Sequence, residues 1–311
     1  MGIQTNGLRF LLLARAIGAN FEKTATLGRQ WLSTNFTEAH TVLASEWKTG
    51  IDDATLRSLL GSGYIDDLVR QLGADDVHSF DYSSYEGATH VHDFNRPIDP
   101  SAYGKYSVVM DGGSLEHVFN FPVAIENCMR MLRVGGHFLG LTPTNNYMGH
   151  GFYQFSPELY FRIFSPENGF RVEHILLVQG AQTPRWFRVT DPETTKKRFG
   201  IEDSERSMLY VLATKVADVE PFTTAPLQSD YQAVWQTDPE RVPAVSAAGR
   251  NVEKWLPRWL PGPMRESLDR YQANRLRLKR QRKARKKFLT PFDATQGERG
   301  IRALTEASRR A

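Results

Sequence analysis

Cysteine is almost missing from this chain: Cys128 is the only one in 311 residues. No intrachain disulfide can form, and a cysteine-based zinc site has too few ligands. A reducing compartment suits such a chain. Long apolar runs are missing too. The longest near the start, Phe10 to Leu13, lies between Arg9 and Arg15, whereas a bilayer-crossing helix needs about 20 apolar residues. The start also lacks the order of a secretory leader, with its charged beginning, apolar middle and small-residue cleavage site. A soluble, cytoplasmic protein is expected. There is no Gly-x-Ser-x-Gly nucleophile turn, no dinucleotide-binding glycine fingerprint and no internal repeat. His90, His92 and Asp93 could offer ligands on one strand face, but no His/Asp/Glu set has metal-ligand spacing along the chain. No metal is expected.

What is present divides unevenly. Apolar residues make up 41% of the chain, enough for a sizeable core. The net charge of +4 hides an asymmetry. Residues 264–311 hold 15 Lys/Arg against 5 Asp/Glu, leaving 24 basic and 30 acidic groups elsewhere. Any argument for an anionic partner therefore concerns the tail. Arg275 to Lys287 contains nine Lys/Arg and no acid. A solvated basic helix is the plain reading. Trp255, Leu256, Trp259 and Leu260 precede it at helical spacing, and such a pairing suits peripheral contact with an anionic membrane at its inner face. Nucleic acid is disfavoured, because no aromatic stacking platform accompanies the charge.

Periodicity gives an alternation of elements. A helix is expected at about 6–19, then a strand at Lys23 to Leu27 with a turn at Gly28. Helical pieces follow at Thr37 to Trp47, Asp53 to Leu60 and Tyr64 to Leu72, with Asp52 or Asp53 as a cap and Gly61 and Gly63 as breaks. Strands are read at Val77 to Phe80, Thr89 to Phe94 and Tyr106 to Met110. The last is a continuous apolar run of the kind buried in parallel sheets. Phe121 to Leu132 has helical spacing and stops at Gly135 and Gly136. His137 to Leu141 is the next strand. Ser156 caps a helix with Pro157 in its first turn, running to about Phe164. Arg171 to Val178 and Ser207 to Thr214 are late strands, expected as an antiparallel pair at one edge and separated by a long loop. From about 219 to 262 there is no period. A very basic helix is expected at 264–288, with the last twenty or so residues poorly ordered. Strands alternating with helices predict a doubly wound, mostly parallel sheet with helices on both faces. The domain boundaries are expected at 1–218 and 219–311.

Three segments carry a family likeness. They are Tyr106 to Val118 (YSVVMDGGSLEHV), Ala124 to Gly136 (AIENCMRMLRVGG) and Phe138 to Pro143 (FLGLTP). They resemble the class I S-adenosylmethionine-dependent methyltransferases over roughly residues 20 to 215. The resemblance implies a Rossmann-like seven-stranded sheet, S-adenosylmethionine as cofactor and methyl transfer as activity. It makes O-methylation of a glycan-like or small-molecule acceptor the expected reaction. The other function class is a catalytically inactive methyltransferase fold that binds or scaffolds, possible at a membrane surface.

The family's first strand ends in an acid followed by Gly-x-Gly-x-Gly. Here the segment reads Thr26, Leu27, Gly28, Arg29, Gln30, so Thr26 replaces the acid and Gln30 stands at the second glycine. Ser107 replaces the usual Asp in the fourth strand. Two readings stay open: Arg29 and Gln30 bind the cofactor by side chains, or they fill its space. The resemblance places the cofactor at Gly28, Arg29, Gln30, Asp81, Tyr82, Asp93, Phe94, Asp111, Gly112 and Gly113. It implies that Asp81 takes the ribose hydroxyls, a task suited to a carboxylate that accepts two hydrogen bonds. Asp93 would take the adenine amino group, with Phe94 at the ring. Each is otherwise a solvated turn acid. His117 and His150 are the candidate bases, because they follow strand ends where open sheets bind ligands. Tyr153 and Gln154 are the candidate acceptor-binding residues. The plainer reading of that stretch is a glycine-rich connection with a buried aromatic anchor.

Overall fold

The computed structural model describes residues 2–180, 183–201, 204–237, 262–297, 299–301 and 304. Trp255, Leu256, Trp259 and Leu260 lie outside the described residues. The chain divides into two units, one of residues 1–189, 204–226 and 290–311, the other of 190–203 and 227–289.

The first unit opens with β1 (Gly2–Gln4) and α1 (Thr5–Ile17). Next come β2 (Lys23–Leu27) and β3 (Trp31–Ser33), which pairs with β1 in a small parallel sheet. The helical segment that follows is α2 (Phe36–His40), α3 (Asp53–Ser62) and α4 (Asp66–Gln71). The expected single helix from Thr37 to Trp47 instead passes from α2 into one wide turn over Thr41–Glu46. The strands β4 (Asp76–Asp81), β5 (His90–Val91), β6 (Tyr106–Asp111) and β7 (Leu132–Asn145) then alternate with α5 (Phe121–Met131). α6 (Pro157–Ile163), β8 (Phe170–Gln179), β9 (Arg185–Val189), β10 (Ser207–Lys215) and β11 (Leu289–Phe292) complete the sheet unit.

The main sheet has nine strands in the order β11-β9-β8-β10-β7-β6-β2-β4-β5. Strands β5, β4, β2, β6 and β7 run parallel, and β10 is antiparallel to both of its neighbours, β7 and β8. Counted from β2, five strands follow the 3-2-1-4-5 half of a Rossmann sheet. The fold is therefore Rossmann-like, with an antiparallel strand inserted before the sixth position. Helices cover both faces. The four leucines and Phe10 of α1 share one core with Val108, Met110, Leu139, Leu141 and Leu212. On the opposite face Phe138 packs on Phe164 at 4.8 Å, and Phe164 on Phe170 at 5.2 Å.

The seven expected strands are present, and two more extend the edge. β9 lies in what reads as a loop, because five residues with two arginines give too short an alternation. β11 contains Pro291, which argues against a strand except at an edge, and an edge is where it sits. The expected antiparallel pair is present as β8 and β10, but it is not the edge, because β9 and β11 lie beyond β8. α5 ends at Met131 rather than at the glycines, and the backbone of 132–136 already belongs to β7. Gly136 is needed there, since a Cβ would sit 2.8 Å from the Arg133 carbonyl. Ser107, in place of the expected acid, joins β6 to β2: its hydroxyl donates to the Lys23 carbonyl at 3.0 Å and accepts from the Lys23 amide at 2.9 Å.

The second unit contains α7 (Pro192–Thr195), α8 (Ser229–Thr237) and α9 (Gly262–Phe288). α9 confirms the expected basic helix, while α8 falls in the stretch that shows no period. Among the described residues no helix is long and apolar enough to cross a membrane.

Candidate functional site

In a doubly wound sheet, ligands bind beyond the carboxyl ends of the strands where strand order reverses. Here that point lies between β2 and β6. A cleft of about 370 Å³ opens there. Gly28, Arg29, Gln30, Asp81, Tyr82, Asp93, Phe94 and His117 all line it. Residues separated by almost ninety positions in sequence are thus brought to one opening.

The rewritten loop after β2 is held by its own side chains. Thr26, where the resemblance leads one to expect an acid, donates its hydroxyl to the Gly28 carbonyl at 2.7 Å. Gly28 adopts φ +70, a left-handed backbone that favours glycine, and its amide donates to the Phe80 carbonyl at 2.7 Å. Gln30 turns inward and is only 2% exposed. Its amide nitrogen donates to the Leu27 carbonyl at 2.5 Å, which also accepts the Ser114 hydroxyl at 2.7 Å. Arg29 turns the other way. Its guanidinium covers the Tyr64 ring at 3.9 Å, pairs with Asp66 at 3.6 Å and donates to the Glu86 carbonyl at 2.9 Å. Arg29 thus fastens the wall of the cleft, and Gln30 fills its floor.

The two acids differ. Asp81 ends β4 with its carboxylate close to Gly28, where a Cβ would lie 3.7 Å from Asp81 Oδ2. Among the described residues that carboxylate has no hydrogen-bond or ion-pair partner. Tyr82 beside it is largely exposed. Asp93 is already engaged: its Oδ1 accepts from the Asn95 amide at 2.9 Å and from the Asn95 side chain at 2.8 Å. Those bonds hold its carboxyl below the usual range. Asp93 therefore shapes a turn, and Phe94 is buried edge-on to Phe80 at 6.4 Å. His90 and His92 do not gather a metal set with it. His90 stacks on Phe80 at 4.6 Å, and His92 faces the Arg96 carbonyl at 3.2 Å.

Asp111 is fully buried. Its Oδ1 accepts the amides of Ser114 and Leu115 at 2.7 and 3.2 Å, capping the turn after β6. Gly113 is left-handed at φ +98, and Gly112 lies under the Gln30 amide. These three residues build the turn and do not line the cleft. Glu116 follows, also buried. Burial pushes both carboxyls up, and the Asp111 charge pushes Glu116 further.

His117 lies at the rim of the cleft, and His150 faces it with ring centroids 5.2 Å apart. Burial and the neighbouring His150 hold His117 below the usual imidazole value. His150 Nε2 stands 3.5 Å from Glu116 Oε1. The structure thus joins the two candidate bases and adds the Glu116 carboxyl within 4.8 Å of both. Tyr153 and Gln154 serve as anchors. The Tyr153 hydroxyl donates to the Phe119 carbonyl at 2.6 Å, and Gln154 Oε1 accepts the Tyr147 amide at 2.8 Å. Sequence reasoning missed Glu116 as a partner of His150, and it missed Asn127. The buried Asn127 amide accepts from Ile98 at 2.8 Å and donates to the Arg96 carbonyl at 2.8 Å. A polar residue in the apolar run of α5 was the available signal.

A larger cavity of about 810 Å³ lies by α1, β9 and residues 291–295. Its charged groups are already paired: Arg9 grips Glu46 with two bonds of 2.8 and 2.7 Å, and Thr5 donates to Glu38. The cleft at the strand reversal is the better candidate, because it presents an unpaired carboxylate.

No protein-family model and no curated protein matches the chain. Among solved structures, it is similar to the YcgJ protein from Bacillus subtilis, with 10% identity over 68% of this chain and 99% of that one, at TM-score 0.38. It is similar to the Haloferax volcanii complex between the Trm112 methyltransferase activator and a candidate methyltransferase, with 14% identity over 67% and 88% and TM-score 0.36. It is also similar to the CMeT domain of the citrinin polyketide synthase, with 15% identity, 64% of this chain and TM-score 0.33; the match spans 47% of that domain. These likenesses are distant, and the strand order and the cleft carry the functional reading.

Proposed function

We propose that the chain is an S-adenosylmethionine-dependent methyltransferase acting on an oxygen of a small or glycan-like acceptor. The Asp81 carboxylate carries this reading. It stands at the strand reversal, beside left-handed Gly28, with no protein partner among the described residues. A carboxylate so placed accepts two charge-assisted hydrogen bonds from a ribose diol. Phe94 and Val118 offer apolar walls for a base. The residues present fit the nucleoside half of the cofactor. Its amino-acid half would meet Gly28 and Ser114, with Gln30 folded beneath.

When bound, the cofactor supplies a methyl group on a positively charged sulfur, open to in-line attack by oxygen. The protein's part is alignment and proton removal. The His117–His150 pair stands at the rim, with the Glu116 carboxyl 3.5 Å from His150 Nε2 to orient that ring. A hydroxyl acceptor seated there would give up its proton to this pair. Phe119 and Phe152, both exposed and 5.8 Å apart, favour an acceptor with a flat or ring-shaped apolar face.

Calorimetry with S-adenosylmethionine and S-adenosylhomocysteine tests the reading. Binding is expected, and Asp81→Ala should weaken it by about tenfold or more, as for loss of charge-assisted bonds. Unchanged affinity in Asp81→Ala removes the ribose assignment. No heat at millimolar ligand removes the enzyme and leaves the inactive binding fold. A second reading, peripheral contact with an anionic membrane, is favoured by the nine Lys/Arg without an acid between Arg275 and Lys287 of α9.

A further inference from the structure

The loop after β7 is fastened to the backbone of Glu116. The amides of Phe152 and Tyr153 both donate to the Glu116 carbonyl, at 2.8 and 3.3 Å. Gly151 approaches so closely that a Cβ would lie 2.8 Å from that carbonyl oxygen. Gln154 closes the loop on the Tyr147 amide at 2.8 Å. His150 lies between Gly151 and left-handed Gly149, so its position opposite the Glu116 side chain is fixed by main-chain bonds. It does not depend on the exposed imidazole alone.

Glu116, His117 and His150 each bring one ligand atom, all within 4.8 Å of one another. The His150 Nε2 to Glu116 Oε1 separation is 3.5 Å. Two ligands held 2.0–2.2 Å from one tetrahedral cation lie about 3.4 Å apart. The third ligand atom, on exposed His117, lies within 4.8 Å of the other two. A second observation points the same way. Glu116 is 1% exposed, and its Oε2 has no hydrogen-bond partner among the described residues. A buried carboxyl oxygen without a partner is costly, and a cation at that place relieves the cost, as a proton does in its absence.

We propose that Glu116, His117 and His150 form a binding site for a divalent first-row transition cation, with its open positions toward the cleft that His117 lines. Two imidazoles and one carboxylate suit zinc, cobalt, iron or manganese better than magnesium, which prefers all-oxygen shells. The remaining positions accept an oxygen donor. If the methyl-transfer reading holds, that donor is the acceptor hydroxyl; the cation would lower its pKa so that its proton leaves to solvent water, and His150 would serve as ligand rather than base. The cation's catalytic role rests on that reading, but its binding does not.

Cobalt(II) titration of the full chain tests binding alone. Visible d–d bands should saturate at one equivalent and survive excess magnesium. His150→Ala should weaken cobalt binding by at least about tenfold. His150 is exposed on its loop, so this variant should melt like the parent. His117→Ala and Glu116→Gln should weaken it likewise. Should Glu116→Gln fail to fold, the two histidine variants decide. Absence of bands overturns the site, and so does binding that survives both histidine replacements, which would point to other imidazoles such as the His78–His90 pair. Cobalt binding with no response to S-adenosylmethionine would keep this site and remove only the cofactor reading.

Discussion

The amide of Gln30 lies on Gly112. A Cβ at Gly112 would come 2.7 Å from Gln30 Cδ, closer than real Cβ atoms approach, so with the amide folded in, position 112 has room only for glycine. Gly112→Ala is expected to destabilise by about 1–3 kcal/mol through overpacking. Gln30→Ala alone should cost about 1–2 kcal/mol, mainly the bond to the buried Leu27 carbonyl. The double variant should be less destabilised than the sum, because removing the amide makes room for the methyl group. Urea unfolding of the four proteins measures this. Strict additivity would mean that Gln30 does not rest there. The same Gln30→Ala variant should bind S-adenosylmethionine no more weakly than the parent, since the side chain is folded away from the cleft. A tenfold loss would make it a ligand after all.

Asn127 tests the wall beneath Asp93. Its amide is the only side chain named above that holds both Arg96 and Ile98, through two bonds of 2.8 Å. Asn127→Ala leaves the buried Ile98 amide unpaired, at about 1–3 kcal/mol, removes one of two donors to the Arg96 carbonyl, and opens a small cavity. A loss of about 2–4 kcal/mol in unfolding free energy is expected, with faster amide exchange at 93–98. Asn127→Asp keeps the acceptor for Ile98 and loses the donor to Arg96. An Asn127→Ala variant as stable as the parent would show that this clamp does not hold the wall.

These two cases show what the sequence could and could not reveal. The sheet was legible because β6, β7 and β10 are apolar runs bounded by turns, and Asp111 and Gly113 mark a strand end. Asp81 was legible because it closes a strand. The orientation of Gln30 was not, because a glutamine at a glycine position can reach out or fold in. Only the Leu27 carbonyl and the bare Gly112 decide between these. The link from Glu116 to His150 spans 34 positions and depends on the main-chain bonds of Phe152 and Tyr153. No local pattern encodes such a pairing. β11 was hidden by its proline, and β9 by its brevity.

His174 sets an acid limit to stability. It lies in β8, buried, with burial and then Arg188 of β9 pushing its pKa down to about 4. Glu173 opposes the shift without cancelling it. Unfolded, an imidazole titrates near about 6.5. Between those two values the unfolded chain binds a proton that the folded chain refuses, so stability falls as pH drops from about 6.5 to about 4. The loss is of the order of 3 kcal/mol and levels off below the lower value. His174→Gln should remove this component. The difference between parent and variant isolates it from the buried carboxyls Asp111 and Glu116, whose raised values act in the opposite direction. Parallel stability profiles for parent and variant from pH 7 to pH 4 would refute the assignment.

The basic helix calls for charge replacement, not truncation. Removing residues 264–311 would take away Ala294 and Leu304, both buried in the core of the sheet unit, and a damaged fold could mimic lost binding. Lys279, Arg280, Arg282 and Lys283 lie in the basic run of α9 and are exposed or half-exposed. Replacing all four by Gln keeps good helix formers and removes four positive charges. If α9 meets an anionic surface, each lost charge near that surface weakens binding by about 1 kcal/mol at low ionic strength. Co-sedimentation with phosphatidylserine vesicles should therefore fall steeply in the variant, and in the parent as salt rises, because these charges are open to screening. Neutral phosphatidylcholine vesicles should bind neither protein. Equal binding of parent and variant to anionic vesicles would exclude α9 as the contact and leave its charge as solvation of an exposed helix.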